Sequence, residues 1–245
     1  MSLAALQDAG FDVLTRNHAD AILAQDFPRE LELLAQVLAE FRISLGEIIT
    51  GVVGESGQTQ RLRHELSDLN WRKHKFEVQT VVDGHARTGV SHEVDHVKFA
   101  EKGALALEIE WNNKDPFFDR DLENFQRLHA LSAISLGIVV TRGATMQAAF
   151  LERITEWMQS RNLTSEDDLD RLGIVARTAA LRKTVADQVV RGMPFAEAFA
   201  RKFVADKFGQ ATTHWSKLED RVLRGVGNPC PLLLIGLPDQ IMIED

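Results

Sequence analysis

The sequence predicts an α/β fold in which a mixed central β-sheet is flanked by helices. Runs that alternate like β-strands are concentrated between residues 76 and 111, and a strongly apolar run follows at 137–141. Segments with helical spacing of apolar residues lie on both sides of this region. A further apolar run at residues 232–236 predicts a last buried strand.

The first quarter of the chain is expected to be mainly helical. Two helices are predicted at the start, and the second covers residues 28–41. Its apolar residues recur at helical spacing; they are Leu31, Leu34, Val37, Leu38 and Phe41. Residues 51–59 are rich in Gly, Ser and Thr and predict a loop, and residues 60–71 predict a short basic helix.

Three strands are expected next, and a meander is their simplest arrangement. Residues 76–82 alternate as a half-buried strand does, and Asp83-Gly84 is a turn signal. The second predicted strand covers residues 90–99. A turn at Lys102-Gly103 leads into the third, over residues 104–111.

Helices are predicted for most of the remaining chain. Asp119 is the expected N-cap of a helix that runs to about residue 134. The apolar run at 137–141 is consistent with a strand inside the sheet. Four more helices are predicted, over residues 145–160, 179–191, 195–207 and 213–224.

Composition indicates an ordinary globular protein. Of the 245 residues, 44% are hydrophobic and 26% are charged, and no linker or repeat divides them, so a single domain over residues 1–245 is expected. No apolar run is long enough to span a bilayer, so no membrane partner is expected. Cys230 is the only cysteine, which excludes an intrachain disulfide and predicts a reducing, cytoplasmic location.

The charge distribution is uneven. The net charge is −8, which by itself argues against nucleic-acid binding. Residues 1–59 carry three Arg and nine acids, whereas residues 61–75 carry five Lys or Arg and two acids. Residues 171–224 carry eleven Lys or Arg and five acids. Basic surfaces could therefore bind phosphates, although ordinary solvated helix faces would give the same counts.

Three acidic residues in the strand region suggest a metal site. Glu108 and Glu110 are two apart in a predicted strand, so they project to the same face. Asp95 lies in the preceding predicted strand, and pairing of the two strands would bring the three carboxylates together. An alternative is that both glutamates face solvent on an amphipathic strand.

A divalent cation would remove the repulsion between such carboxylates. Mg²⁺ prefers carboxylate oxygens and water, and it binds one or two protein carboxylates together with substrate phosphate. It can also activate a water for phosphodiester cleavage. The pattern therefore favours Mg²⁺-dependent phosphoester hydrolysis.

Asp95 followed by Glu108-Ile109-Glu110 resembles the Asp…Glu-x-Lys core of the PD-(D/E)xK nucleases. Glu110 stands where lysine is usual, and this departure resembles the BglII/BamHI type of restriction endonuclease, in which Glu or Gln replaces the lysine. The polar segment at 111–117, residues 17–23, Glu65-Leu66 before Trp71, and residues 212–236 are similar to the same family. Residues 143–210 carry no such resemblance.

The resemblance implies a restriction-endonuclease-like fold with a catalytic core at about residues 60–142. It implies a type II restriction endonuclease that hydrolyses double-stranded DNA with Mg²⁺. Such an enzyme acts as a homodimer on a short palindrome, because a two-fold symmetric protein reads a two-fold symmetric site. Relatives of this type read sites with a central GATC.

Residue roles follow from the same resemblance. Asp95 and Glu108 become Mg²⁺ ligands, and the carbonyl of Ile109 becomes a further ligand. Glu110 would orient or deprotonate the attacking water. Glu65 is an accessory candidate that could reach the metal through water, and an exposed helix glutamate is the alternative.

Basic and amide side chains supply the candidate DNA contacts. Lys98 or Lys114 could provide the positive charge missing at position 110, or could be solvated surface lysines. Asn113 resembles a base-reading asparagine, which can bond bidentately to adenine. Further candidates for base or phosphate contact are Asn112, Lys114, Arg120, Arg61, Arg63, Arg72 and Lys73.

Two other functions remain open from the sequence. One is a non-catalytic DNA-binding protein that retains the nuclease fold. The other is a metal-dependent hydrolase of small phosphoesters. A histidine zinc site is not favoured, because the spacing of His74, His85, His92 and His96 matches no structural zinc pattern.

Overall fold

The computed structural model describes residues 2–51, 57–89, 91–174 and 177–244. Strands and helices alternate along the chain. The strands are β1 (Asp12–Arg16), β2 (Ile43–Ser44), β3 (Arg72–Phe76), β4 (Gln79–Val82), β5 (His85–Thr88), β6 (His92–Ala100), β7 (Gly103–Glu110), β8 (Leu136–Arg142), β9 (Leu232–Leu237) and β10 (Met242–Ile243).

Helices surround these strands. They are α1 (Leu3–Asp8), α2 (Ala19–Asp26), α3 (Pro28–Glu40), α4 (Leu45–Thr50), α5 (Gly57–Asp68), α6 (Phe117–Ala130), α7 (Ala144–Ser160), α8 (Glu166–Arg171), α9 (Ala179–Val190), α10 (Phe195–Lys207) and α11 (Trp215–Leu223), with a 3₁₀ turn at Asp239–Ile241. No helix among the described residues has the length and apolar character needed to cross a membrane.

A mixed six-stranded sheet forms the centre of the molecule, in the order β1-β9-β8-β7-β6-β3. β7, β8 and β9 run parallel, whereas β3, β6 and β1 pair antiparallel with their neighbours. β6 and β7 form a hairpin whose turn ends at Gly103, where φ is +145° and a side chain would be strained. α6 then makes the crossover that a parallel pair requires.

A separate hydrophobic cluster packs against each face of the sheet. One face packs Leu107, Ile138 and Ile235 against a large cluster that includes α3, α7 and α10. The other face packs Ala106, Val139 and Leu234 against α6 and α11. Gly137 of β8 permits this second contact, because a Cβ there would lie 2.3 Å from the Phe125 ring of α6.

The predicted fold class is confirmed, as are most of the predicted elements from β6 onward. The predicted strand at 76–82 is wrong, because Phe76 ends β3 and the chain then enters β4. β4 and β5 form a separate two-stranded hairpin around the predicted Asp83-Gly84 turn. Alternation has the same period in both settings, so it did not distinguish a strand of the main sheet from a local hairpin.

Three other predictions need correction. β1 was missed, because its five partly exposed residues at the sheet edge lack clear alternation. α6 begins at Phe117 after Pro116, so Asp119 lies in the first turn and is not the N-cap. The predicted loop at 51–59 is too long at its C-terminal end, because α5 begins at Gly57. Residues 52–56 of this predicted loop lie outside the described residues. Val90, the first residue of the predicted second strand, also lies outside them.

Candidate active site

The antiparallel pairing of β6 with β7 brings Asp95 and Glu108 together. The last pair in this register is His96 opposite Leu107, and Asp95 and Glu108 are the next residue on each strand. The backbone N–H of Asp95 donates a hydrogen bond of 3.3 Å to Oε1 of Glu108. Residues opposite each other on paired strands share one face of the sheet, so the two carboxyl groups are neighbours.

Glu110 extends the acidic cluster along β7. It lies two residues beyond Glu108, on the same face, and is only 3% exposed. Nδ2 of Asn113 donates to its Oε2 at 2.8 Å, and the Thr141 hydroxyl donates to its backbone carbonyl at 2.7 Å. Thr141 of β8 therefore holds the backbone of Glu110, and Asn113 of the loop after β7 holds its carboxylate.

Helix α6 contributes a fourth carboxylate that the sequence interpretation missed. Asp121 is 1% exposed, and its Oδ1 accepts a hydrogen bond of 2.8 Å from Nε of Arg120. Its Oδ2 is buried, and its carboxyl group interacts with the side chain of Glu110. A signal was present, because Asp121 occupies an apolar position of an amphipathic helix whose buried neighbours are Phe118, Leu122 and Phe125.

Burial and mutual repulsion favour the protonated forms of these acids. Burial raises the pKa of Glu108 well above its usual range, and the nearby Asp121 and Asp95 raise it further. Burial, with the charge of Asp121 as the next cause, raises the pKa of Glu110 to about 8. Burial also raises the pKa of Asp121, against the opposing effects of its hydrogen bond with Glu110 and of the charge of Arg120. A nearby cation would reverse this preference.

Three basic side chains border the acids. Arg120 reaches within 3.7 Å of Oε1 of Glu110, and its guanidinium lies 4.4 Å from the centre of the Phe117 ring. On the other side, Lys73 of β3 and Arg63 of α5 each lie 3.9 Å from the Asp95 carboxylate. These side chains give the acidic cluster a partly basic rim, which is what phosphate binding beside a metal site requires.

An open cleft of about 420 Å³ leads to the cluster. Its lining combines acidic, basic and amide groups, namely Ser91, His92, Glu93, Asp95, Glu108, Arg120, Asn124 and Arg127. Nδ1 of His92 lies 2.9 Å from Oδ1 of Asn124, so the histidine is engaged within the wall. The cleft is polar, which fits a charged substrate.

The donor set fits a divalent metal of the Mg²⁺ type. In the described part of the chain, no group of three or more His, Cys, Asp or Glu is arranged to hold a metal ion. Asp95 and Glu108 are a pair, and Mg²⁺ needs only one or two carboxylates when water and phosphate complete its shell. The buried carboxyl of Asp121 beside Glu110 and the raised pKa of Glu108 both indicate a place where positive charge would be stabilised.

The accessory candidates from the sequence lie in different surroundings. Nζ of Lys98 donates to the carbonyl of Leu69 at 2.6 Å. Lys114 is exposed and forms an isolated antiparallel bridge with Thr212. Burial raises the pKa of Glu65, and the charges acting on it are those of Arg61, Glu40 and Asp68, not the acids of the cluster.

The DNA-contact candidates fall into two groups. Asn112, Asn113, Lys114 and Arg120 are exposed around the end of β7 and the start of α6. Arg61 is bound to Glu47 at 2.6 Å, and Arg72 donates to the Ser67 hydroxyl at 2.6 Å. Arg63 and Lys73 lie beside Asp95, so the structure brings these two basic residues to the acidic cluster.

Comparison with known proteins identifies the family. A search of curated proteins finds no match. A family model described as restriction endonuclease BglII/BglIII matches residues 11–237, which is nearly the whole chain. The match includes every strand of the central sheet and all the acidic residues described above. The chain therefore belongs to the BglII/BglIII family of restriction endonucleases, which are site-specific deoxyribonucleases that bind double-stranded DNA.

Proposed function

We propose that this protein is a Mg²⁺-dependent type II restriction endonuclease that cuts a short palindrome in double-stranded DNA. The observation that carries the proposal is the adjacency of Asp95 and Glu108 across β6 and β7, joined by a hydrogen bond of 3.3 Å. Glu110 lies beside this pair at the end of β7. The family match supports a nuclease, and the proposal adds the metal, the residues and the kind of site.

Asp95 and Glu108 would hold the metal, with the carbonyl of Ile109 as a further ligand. A divalent ion bound there supplies positive charge to the scissile phosphate and lowers the pKa of a water. Glu110 would orient the attacking water and accept its proton. Arg120, at 3.7 Å from Glu110, favours the ionised form that accepts a proton.

The basic rim positions the DNA backbone. Lys73 and Arg63 lie close to Asp95, so phosphate oxygens at the metal would also meet their charges. Arg120 provides positive charge at the opposite side of the cluster. These side chains take the place of the missing lysine at position 110, a role for which Lys98 is poorly placed because its ammonium binds Leu69.

Recognition is assigned to the loop of residues 112–115 after β7. Asn113 is exposed beside Glu110 and carries an amide that can bond to adenine. A palindromic site requires two such loops, so we propose a homodimer. The family resemblance favours a central GATC in that site. Because the substrate is cellular or invading DNA, we also propose a cytoplasmic location.

Cleavage of DNA libraries tests this proposal. Plasmid and phage DNAs are incubated with the purified protein and Mg²⁺, with an EDTA arm, and the ends of the fragments are sequenced. Discrete fragments that depend on Mg²⁺ and share one palindromic end sequence are expected. Specific binding without cleavage in Mg²⁺ or Mn²⁺ would instead favour a non-catalytic DNA-binding protein.

Two further measurements test the oligomeric state and the substrate class. Analytical ultracentrifugation with and without the mapped site tests the homodimer. Turnover of a chromogenic phosphodiester, without affinity for duplex DNA, would favour a small-molecule phosphoesterase and contradict the proposal.

A further inference from the structure

Arg142 is a fully buried arginine that has no acidic partner in the described part of the chain. It ends β8 and is 0% exposed. No carboxylate among the described residues lies within ion-pair distance of it. Its guanidinium instead lies over two aromatic rings, 4.9 Å from the centre of Phe208 and 5.8 Å from that of Phe150. A buried charge is costly unless it is paired or hydrogen-bonded, so this residue needs an explanation.

The hydrogen bonds of Arg142 all go to neutral groups. One terminal nitrogen donates to Oε1 of Gln147 at 2.6 Å. The other donates to Oγ1 of Thr212 at 2.7 Å and to the carbonyl of Thr213. Burial lowers the pKa of Arg142 to about 9, so the group remains charged at neutral pH. The planar fork of an arginine can hold two separate segments in this way, whereas a lysine ammonium has no such fixed geometry.

The segment that Arg142 holds is paired with the loop of residues 112–115. Lys114 and Thr212 form an antiparallel bridge. The N–H of Thr213 donates to the carbonyl of Asn113 at 2.8 Å, and the N–H of Asp115 donates to the carbonyl of Ala211 at 3.0 Å. Residues 211–213 therefore hold the backbone of the loop through hydrogen bonds. Arg142 in turn holds residues 212 and 213 through its guanidinium.

The same loop is joined to the acidic cluster through Asn113. One N–H of its amide donates to Oε2 of Glu110 at 2.8 Å. An asparagine amide has a second N–H and a carbonyl oxygen, which are the two groups that bond to an adenine edge. Asn113 can therefore contact a base and Glu110 at the same time, provided that its backbone is held in place.

We propose that Arg142 is a positioning residue for DNA recognition, which fixes the loop of residues 112–115 through the segment 211–213 without touching DNA. The inference rests on the proposed function, because it assigns Asn113 to base reading. Loosening this support would move the Asn113 amide relative to both the base and Glu110. Sequence discrimination would fall, while contacts to phosphates elsewhere in the interface would be unchanged.

Binding measurements on Arg142→Lys test the inference. Affinities for a duplex with the mapped site, and for one with a single changed base pair, are measured without cleavage in Ca²⁺. The ratio between the two affinities is expected to fall at least about tenfold, because a misplaced amide loses its share of base discrimination. Non-specific affinity and its salt dependence are expected to stay the same, since Arg142 is buried away from phosphates.

Arg177→Lys is the matched control. Arg177 is also buried, but it is bound to Glu166 and Asp170 near α8, outside the candidate site. A merely structural effect of losing a buried arginine would lower the unfolding temperature in both variants and leave the affinity ratio intact in both. If Arg142→Lys does not fold, Thr212→Val removes one acceptor of Arg142, together with the hydrogen bond from the Thr212 hydroxyl to the Gly209 carbonyl, and the same affinity ratio is measured.

The outcomes separate this inference from the proposed function. A wild-type protein without sequence-specific binding would overturn both. A normal wild-type ratio that persists in folded Arg142→Lys, or in Thr212→Val when the first variant does not fold, would refute only the role of Arg142. A loss of non-specific affinity in Arg142→Lys would also refute it, because that result would indicate direct phosphate contact.

Discussion

The backbone amide of Asp95 donates to the side chain of Glu108 across two neighbouring strands, which holds the Glu108 carboxylate against the backbone of Asp95. This geometry predicts that neither residue can be replaced by the other. We expect Asp95→Ala and Glu108→Ala each to lower the cleavage rate about a thousandfold or more, because each variant removes a proposed metal ligand. Single-turnover cleavage assays in Mg²⁺ measure this loss.

DNA binding provides the control for these variants. Both should retain affinity for the mapped site in the absence of metal, since removing a carboxylate lowers repulsion of the phosphates. Asp220→Asn on α11 removes an exposed acid whose partner is Arg224, and it should cut normally. Near-normal cutting by Asp95→Ala or Glu108→Ala would remove that residue from the site.

The raised pKa of Glu110 predicts a stability that depends on pH. Burial raises the pKa from an ordinary value of 4.5 to about 8, so the folded state prefers the protonated carboxyl. The resulting stabilisation is complete below pH 4.5 and is lost as pH rises through 8. In EDTA we expect the unfolding temperature to fall by several degrees, on the order of 5 °C, between pH 6 and pH 9.

Addition of Mg²⁺ and the variant Glu110→Gln test whether ionisation of Glu110 causes the loss of stability at high pH. The metal should restore more stability at pH 9 than at pH 6, because it favours the ionised cluster. Glu110→Gln carries no charge at this position and should make the profile shallower in EDTA, while the raised pKa values of Glu108 and Asp121 leave part of the slope in place. A profile that is equally steep in the variant would show that another group is responsible.

Arg120 is predicted to stabilise the acidic cluster in the absence of metal. It binds Oδ1 of Asp121 at 2.8 Å, and Asp121 is almost fully buried. Arg120→Ala leaves this carboxylate without its cation, and we expect the free energy of unfolding to drop by about 1–3 kcal/mol. Urea denaturation in EDTA measures the change.

A double-mutant cycle isolates the pair. Because Asp121→Asn removes the charge that Arg120 compensates, the second substitution should recover part of the loss in Arg120→Ala. Strictly additive effects of the two substitutions would mean that the ion pair contributes no coupling.

Lys73 and Arg61 are predicted to differ in their contribution to DNA affinity. Lys73 pairs with Glu93 at 2.7 Å and lies 3.9 Å from Asp95 at the acidic cluster, whereas Arg61 is bound to Glu47 at 2.6 Å. Lys73→Ala should reduce the slope of log affinity against log salt by about 1, as expected for one lost phosphate contact. Arg61→Ala serves as the comparison and should leave the slope unchanged; equal slopes for both variants would contradict the assignment.

Close packing of β8 against α6 predicts that Gly137 tolerates no side chain. A Cβ at this position would lie 2.3 Å from the Phe125 ring. We expect Gly137→Ala to lower the free energy of unfolding by about 1–3 kcal/mol through overpacking. Adding Phe125→Leu, which shortens the opposing side chain, should cost less than the sum of the two single changes.

The sequence predicted the elements whose signals are local. Glu108 and Glu110 were placed on one strand face because residues two apart in a strand share a face. The approach of Asp95 to Glu108 was expected if the two strands paired through the short turn before Gly103, and β6 and β7 do pair in this way. The α/β class followed from the alternation of helical and strand periods.

Contacts between distant segments could not be predicted in the same way. Asp121 joins the cluster only because α6 crosses back over the face of β7. The helical periodicity of the sequence shows which face of α6 is buried, but not which strand that face packs against. Lys73 approaches Asp95 through an irregular register between β3 and β6. The sequence of β1 alternates only weakly. β1 joins the sheet by pairing with β9, which is distant from it in the sequence.

The pairing of β1 with β9 has a consequence for synthesis on the ribosome. β9 lies between β1 and β8, so the platform beneath the acidic cluster is incomplete until residues 232–237 have emerged. A nascent chain that already contains Asp95 and Glu108 still lacks this central strand, and long-range pairing of this kind forms late. A site that begins to form on β6 and β7 therefore gains its full six-stranded support only after residues 232–237 have been synthesised.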